Sequence, residues 1–178
     1  MARHIVLLRG INIGSRNRIA MPELREALES AGFDDVQTYV QSGNVILSSG
    51  MSPAEVAQAC ERQIEKSFGL DIDVVTRTRA QLAKVVEANP LESVAKDPKR
   101  YQVSFLSAKP SADVVRKLEE AAAEQERVAL AGREIYAWHP AGIGRSRLWT
   151  LLAGRGVGVT ATARNWTTVT KLLELAGS

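Results

Sequence analysis

The sequence predicts an α+β protein of two small ferredoxin-like (split βαβ) subdomains in tandem, with a C-terminal helix. Three observations lead to this prediction. Residues 1–77 read as strand, helix, strand, strand, helix, strand, the chain from Tyr101 onward largely repeats that order, and a helix with a polar linker stands between them. We therefore expect a first subdomain at 1–77, a helix and linker at 78–100, and a second subdomain with the terminal helix at 101–178.

Apolar runs and turn residues define the first half of subdomain one. Residues 4–8 read as a buried strand, and a helix is predicted from about 22 to 31 with proline in its first turn, where the missing N–H has no helical partner. Two short strands, 35–40 and 45–48, flank a hairpin turn at 41–44.

Stronger local signals mark the second half. Ser52-Pro53-Ala54-Glu55 is a capping box with proline at the first helical position. Cys60 falls on the apolar stripe of the helix that follows, which favours a structural thiol over a nucleophile. Residues 70–76 alternate in polarity and predict a fourth strand, and residues 78–81 cap a third helix that ends near 88.

The second subdomain has no residue-level repeat of the first, although the elements come in a similar order. Its predicted elements are a strand at 101–106, a helix at 110–124, a hairpin of 127–130 with 134–138, a short helix at 145–153, a strand at 159–163 and a final helix capped by Asn165.

Composition restricts the class of protein. The chain has 178 residues, of which 45% are apolar and 24% charged, as in globular domains and unlike disordered chains. One cysteine excludes an internal disulfide framework, and no apolar run is long enough for a membrane span or a secretory signal. We expect a cytoplasmic protein with no membrane partner. With two histidines and one cysteine, no metal site and no cofactor are predicted.

Charge is distributed unevenly along the chain. Residues 1–90 hold 10 Lys and Arg against 11 Asp and Glu, whereas residues 91–178 hold 13 against 9. This excess forms either a solvated basic face or a site for an acidic ligand, and both interpretations stay open.

A basic glycine loop follows the first strand, and it supplies the first candidate ligand-binding residues: Arg9, Asn12, Arg16 and Arg18. Glycines let backbone N–H groups turn towards one point, and arginines add positive charge, so such a loop suits an anion. The glycines also serve turns without any ligand. Neither a P-loop nor a dinucleotide-binding fingerprint is present.

Three further clusters share this chemistry: Gln41, Ser42 and Asn44 at the hairpin turn, Arg145 and Arg147 in a second glycine loop, and Arg164 and Asn165 before the final helix. A hydrogen bond between arginine and an oxyanion contributes about 1.5–3 kcal/mol. If the clusters converge, two such bonds with loop amides suffice for micromolar binding of a phosphate.

Four segments resemble those of a known bacterial family, domain of unknown function 1697: Leu7-Leu8-Arg9-Gly10-Ile11-Asn12-Ile13-Gly14 with Met21-Pro22-Glu23-Leu24, Thr38-Tyr39-Val40-Gln41-Ser42-Gly43-Asn44-Val45, Gly142-Ile143-Gly144-Arg145-Ser146-Arg147-Leu148, and Thr162-Ala163-Arg164-Asn165-Trp166-Thr167-Thr168-Val169-Thr170-Lys171-Leu172. The resemblance implies a compact α+β fold with ferredoxin-like subdomains. It implies no activity, so no catalytic residue is transferred. Where that family often has Lys near Arg16 and Arg147, this chain has Arg, which adds capacity for bidentate contacts.

Three functional hypotheses follow. The first is a binding module for a phosphate-bearing small molecule, a nucleotide or a nucleic acid. The second is an enzyme that hydrolyses a phosphorylated or acyl-phosphate compound, with Arg9 and Asn44 as the nearest candidates by analogy of fold. The third is a non-catalytic interaction scaffold in which the glycine loops only preserve turns. The sequence does not predict an oligomeric state.

Overall fold

The computed structural model describes residues 1–177, which form eight strands, six α-helices and one short 3-10 helix at Pro98–Arg100. In chain order these are β1 (Ala2–Leu8), α1 (Met21–Ser30), β2 (Asp34–Tyr39), β3 (Asn44–Ser49), α2 (Pro53–Phe68), β4 (Val74–Thr78), α3 (Arg79–Ala88), β5 (Tyr101–Leu106), α4 (Ala112–Ala121), β6 (Arg127–Ala131), β7 (Glu134–Trp138), α5 (Arg147–Ala153), β8 (Ala161–Asn165) and α6 (Trp166–Ala176).

The strands form two four-stranded antiparallel sheets, so the predicted α+β fold class is confirmed. The first sheet has the order β2-β3-β1-β4, and the second has the corresponding order β6-β7-β5-β8. Each half of the chain runs β-α-β-β-α-β and then enters a further helix. The structure therefore repeats at the level of elements, although the sequence does not repeat at the level of residues.

Contacts along the chain define two compact units. Unit 1 contains Met1–Lys84 and the end of α6 from Leu172 onward, and unit 2 contains Val85–Lys171. The helices α3 and α6 therefore each have residues in both units, and neither helix belongs to one unit alone.

One face of each sheet is covered by the helices of its own half. In unit 1, Leu24 of α1 and Ile64 of α2 are fully buried in one cluster with Val6 and Leu8 of the central strand. In unit 2 the corresponding cluster contains residues from α4, α5 and the sheet: Leu118, Leu148, Leu152, Leu106, Ile135 and Ala161. Alternation along each central strand sends the neighbouring side chains to the opposite face, where they are also buried.

The capping signals read from the sequence are confirmed. Ser52 Oγ accepts a hydrogen bond from Glu55 N (3.3 Å), and Glu55 Oε2 accepts one from Ser52 N (3.0 Å). Thr78 and Gln81 make the same reciprocal pair before α3, at 3.1 and 2.9 Å. These contacts span three residues, so local sequence suffices to predict them.

In unit 2, α4 is shorter than the predicted 110–124 and covers Ala112–Ala121, because Ser111 is its N-cap. Two further elements begin later than the sequence suggests. The helix α5 starts at Arg147 because Ser146 is its N-cap and accepts a hydrogen bond from Trp149 N (3.0 Å). The strand β8 starts at Ala161, which pairs with Leu106, because the register against β5 sets its bounds.

The thiol of Cys60 is fully buried in the unit 1 core. Burial, with a smaller contribution from Glu61, raises its pKa to about 12, so almost no reactive thiolate forms near neutral pH. We expect the folded protein to resist a thiol-reactive chromogenic disulfide for hours, and one thiol to react at once in concentrated guanidinium chloride. Stoichiometric labelling of the folded protein would contradict a structural role.

Candidate functional site

The basic loop after β1 folds into a small hairpin, residues 12–17, which we call the tip hairpin. Asn12 N donates to Asn17 O (3.0 Å), and Arg16 N donates to Ile13 O (2.9 Å). Asn12 and Asn17 both have positive φ, at 53° and 48°, a conformation that asparagine tolerates. The fold of the tip hairpin leaves Ile13 and Arg16 exposed to solvent.

The side chain of Asn12 joins this loop to the β2–β3 turn. Its Nδ2 donates to Ile19 O (3.0 Å) and to Gln41 O (2.7 Å), and its Oδ1 accepts from Ile19 N (2.9 Å). Two of the clusters predicted from sequence are therefore brought together within unit 1, the loop of residues 9–18 and the turn of residues 40–44. We call them together the basic loop surface.

The 40–44 turn packs tightly beneath the loop. Gly43 has φ +85°, its carbonyl accepts from Leu8 N (2.9 Å), and a Cβ there would lie 2.8 Å from Leu8 Cβ. Asn44 is buried, and its Nδ2 donates to Tyr39 O (3.1 Å) and to Ser42 Oγ (2.9 Å). The polar groups of Ser42 and Asn44 therefore hold the turn, while the side chain of Gln41 lies at the surface.

Val40 is an unexpected feature of this turn. It has φ +51°, and 51% of its surface is exposed. The left-handed conformation costs an ordinary residue about 1–2 kcal/mol and is especially unusual for a β-branched one. Val40 does not belong to the hydrophobic core around β1.

The basic loop surface is positively charged. Arg16 and Arg18 are exposed, and Arg18 Nη1 donates to Gly14 O (3.1 Å). Arg9 is half-buried, and its backbone N–H donates to the carbonyl of Asp73, the residue before β4 (2.9 Å). Residues 9–22 and 36–44 contain no Asp or Glu, so neither segment offers a carboxylate to neutralise the two exposed guanidinium groups.

In unit 2, the predicted residues Arg145 and Arg147 line a cavity of about 720 Å³. Its walls are formed by residues 120–126, which end α4 and lead to β6, and by residues 140–147, which precede α5. Glu120 and Glu124 also line it, so the charges around the cavity are mixed.

Sequence reasoning missed a buried polar cluster beside this cavity, formed by Glu126, His139 and Ser146. Glu126 Oε2 lies 2.6 Å from both His139 Nδ1 and Ser146 Oγ, and Glu126 Oε1 accepts from Ala123 N (2.9 Å). The cluster therefore connects the two walls of the cavity. Its members are 13 and 20 residues apart in the chain, and no spacing pattern in the sequence links them.

The geometry of this cluster suits a structural role better than a catalytic one. Ser146 Oγ is 3.3 Å from His139 Nδ1, the same nitrogen that faces Glu126, whereas a serine nucleophile needs the far nitrogen of a histidine oriented by the acid.

Burial by itself would raise the pKa of Glu126. The hydrogen bonds from Ala123, Ser146 and His139 outweigh it, so the pKa is lowered.

Arg164 lies at the end of β8, and its side chain is buried. Its Nη1 donates to Thr162 Oγ1 (2.7 Å) and to Ala163 O (2.9 Å), and burial lowers its pKa to about 10. Arg77 holds the equivalent position in β4, buried and donating to Thr76 O (2.9 Å). This shared position is the clearest residue-level trace of the repeat.

The two clusters of unit 2 are not brought together. Ala161 packs with α5 on one face of the sheet, and Arg164, three residues later, belongs to the opposite face. Asn165 caps α6 as predicted, because its Oδ1 accepts from Thr168 N (2.9 Å). Convergence of the unit 1 clusters with those of unit 2 stays a prediction.

The fold and the candidate site define a small α+β protein with two antiparallel sheets and a basic loop that follows a central strand of the first sheet. The chain belongs to the family described as "Protein of unknown function (DUF1697)", whose sequence profile matches residues 1–136. The segments at 142–148 and 162–172 lie outside the matched residues.

The fold is similar to that of a conserved bacterial protein, SP0830 from Streptococcus pneumoniae. The two share 22% sequence identity over 98% of each chain, with a TM-score of 0.80. No curated protein matches the sequence. Among residues 1–177, no helix combines the length and apolar character that a membrane span requires.

Replacing Asn12 should loosen the basic loop surface. Asn12→Gly removes three hydrogen bonds and should lower the free energy of unfolding by about 2 kcal/mol. Asn12→Ala should lower it by roughly 1 kcal/mol more, because alanine resists positive φ. Denaturant titration of both variants measures these differences. Unchanged unfolding midpoints would show that the asparagine does not hold the loop.

The Glu126 cluster predicts an acid-dependent stability. The lowered pKa means that the carboxylate stabilises the fold above about pH 4–5, and that this contribution is lost as the pH falls through the folded-state value. Glu126→Gln should therefore cost about 2–3 kcal/mol at neutral pH and progressively less in acid. Glu124→Gln, which changes an exposed carboxylate on the same cavity wall, is the control. A cost that does not vary with pH would refute the assignment.

Proposed function

We propose that this protein binds a phosphate-bearing ligand, a nucleotide or a nucleic acid, at the basic loop surface of unit 1. One observation carries the proposal. The Asn12 side chain joins the 9–18 loop to the 40–44 turn, and the resulting surface exposes Arg16 and Arg18 in segments without a carboxylate.

The chemistry of the surface fits a phosphate. A guanidinium group presents two parallel N–H donors to a phosphate, and each such contact contributes about 1.5–3 kcal/mol. Two arginines with two or three backbone N–H groups approach the roughly 8 kcal/mol of a micromolar complex. The positive φ of Gly10 and Gly14, at 70° and 57°, is the kind of turn geometry that exposes backbone N–H groups.

Binding is better supported than catalysis. The enzyme hypothesis needs Asn44 to orient a water molecule, but its amide nitrogen is buried and donates to Tyr39 O and Ser42 Oγ. In unit 2, Arg145 and Arg147 share their cavity with Glu120 and Glu124, which weakens the attraction for a polyanion.

Tripolyphosphate is a suitable test ligand because it carries phosphate charge without a base or a sugar. Titration followed by amide NMR should shift resonances of residues 9–18 and 40–44. Arg16→Gln and Arg18→Gln should each weaken binding about tenfold, which corresponds to the loss of one charged hydrogen bond.

Arg62→Gln provides the matched control, because Arg62 is exposed on α2 and its removal changes the net charge equally. It should leave the affinity nearly unchanged. Equal weakening by all three variants would indicate a diffuse charge effect, and no shift in the two segments would exclude the site.

A further inference from the structure

Two exposed apolar side chains belong to the basic loop surface, in addition to its arginines. Ile13 is 62% exposed and Val40 is 51% exposed. Each is the chain neighbour of one partner in the 2.7 Å hydrogen bond between Asn12 and Gln41, so both lie on the same part of unit 1. A surface that bound only phosphate groups would gain no binding free energy from these two apolar side chains.

The backbone at Val40 indicates that its side chain is used outside the fold. Asparagine or glycine would adopt φ +51° with less strain, yet the chain holds an exposed β-branched residue there. Strain of this kind is concentrated at ligand-binding and other functional positions. A partner that covers Val40 gives the strained residue a role.

The width of the tip hairpin indicates which kind of nucleic acid it can contact. Its two arms meet in a single isolated β-bridge between Ile13 and Arg16 and are joined by the backbone bonds Asn12–Asn17 and Arg16–Ile13, so this short ribbon is about 5 Å wide in the backbone and roughly 10 Å with side chains. The major groove of duplex DNA is about 12 Å wide and admits a two-stranded ribbon, whereas the minor groove is only about 6 Å wide.

We infer that the phosphate-bearing ligand is duplex DNA and that the tip hairpin enters its major groove. In this arrangement Arg16 and Arg18 contact phosphates, and Ile13 covers the methyl groups of thymines. The inference rests on the proposed function, because it uses the same two arginines and adds Ile13 and Val40.

Single-stranded nucleic acid fits the surface less well. Proteins that bind single strands stack bases on aromatic side chains, but residues 9–22 and 40–44 contain no aromatic residue, and the adjacent Tyr39 is half-buried. Small phosphate compounds usually occupy concave pockets, whereas Ile13, Arg16 and Val40 all lie open to solvent.

The full-length protein can be titrated with an alternating dA-dT duplex, with the single strand and with tripolyphosphate. Ile13→Ser and Val40→Asn should each weaken duplex binding by roughly tenfold and leave tripolyphosphate binding unchanged, because both arginines remain. Val40→Asn should also raise Tm by about 2–4 °C through relief of strain, so weaker binding cannot be attributed to unfolding.

Two further measurements test the groove and the phosphate contacts. Replacing thymine by uracil should weaken binding of the parent protein severalfold and have no effect on Ile13→Ser. The logarithm of duplex affinity should fall with the logarithm of salt concentration at a slope of about −1.8, as expected for two neutralised phosphates.

The outcomes separate the inference from the proposed function. Equal or tighter binding of the single strand, or full duplex affinity in both apolar variants, would overturn the duplex assignment even if tripolyphosphate still bound through Arg16 and Arg18. Absence of binding to tripolyphosphate, duplex and single strand alike would instead overturn the proposed function itself.

Discussion

Antiparallel pairing of the central strand with both of its neighbours is the constraint on which the candidate site depends. In unit 1, Leu7 pairs with Asn44 of β3, and Leu8 pairs with Val74 of β4. The end of β1 therefore lies at the same sheet edge as the beginnings of β3 and β4. The basic loop and the 40–44 turn are some thirty residues apart in sequence, yet the register places them side by side, and Asn12 then fixes their contact.

In unit 2 the central strand is also paired antiparallel with both of its neighbours, but the loops that follow differ from those of unit 1. Leu106 N donates to Arg133 O (2.9 Å), as Leu8 N donates to Gly43 O in unit 1. In unit 2, however, only five residues separate β5 from α4, against twelve between β1 and α1. A connection that short cannot form a second hairpin. The scaffold is therefore duplicated, but the elaborated basic loop is confined to the first copy.

Local interactions account for what the sequence predicts well. The cap at Ser52, the cap at Asn165 and the strand–helix order depend on residues within a few positions of each other. Features that depend on tertiary contacts could not be predicted from the sequence. The positive φ of Val40 lies in a turn whose Gly43 carbonyl accepts a hydrogen bond from the distant Leu8 N, and the burial of Arg164 follows from the register of β8. Neither leaves a periodic or compositional signal.

The candidate site was predicted in part for the same reason. Residue types identified the loop of residues 9–18 and the turn at Gln41, because glycine, asparagine and arginine reveal turn geometry and charge. Their contact within unit 1 could be seen only in the structure. The exposed Ile13 went unnoticed because an isolated apolar residue in a loop looks ordinary in a sequence.

The division of α6 between the units has a consequence for biosynthesis. Unit 1 contains the first 84 residues together with the chain from Leu172 onward. Its last segment is therefore translated only after all of unit 2. At about 5–20 residues per second, the nascent first sheet waits roughly 4 to 18 s for the segment that completes its unit. During that interval the first sheet lacks the residues of α6 that belong to its unit.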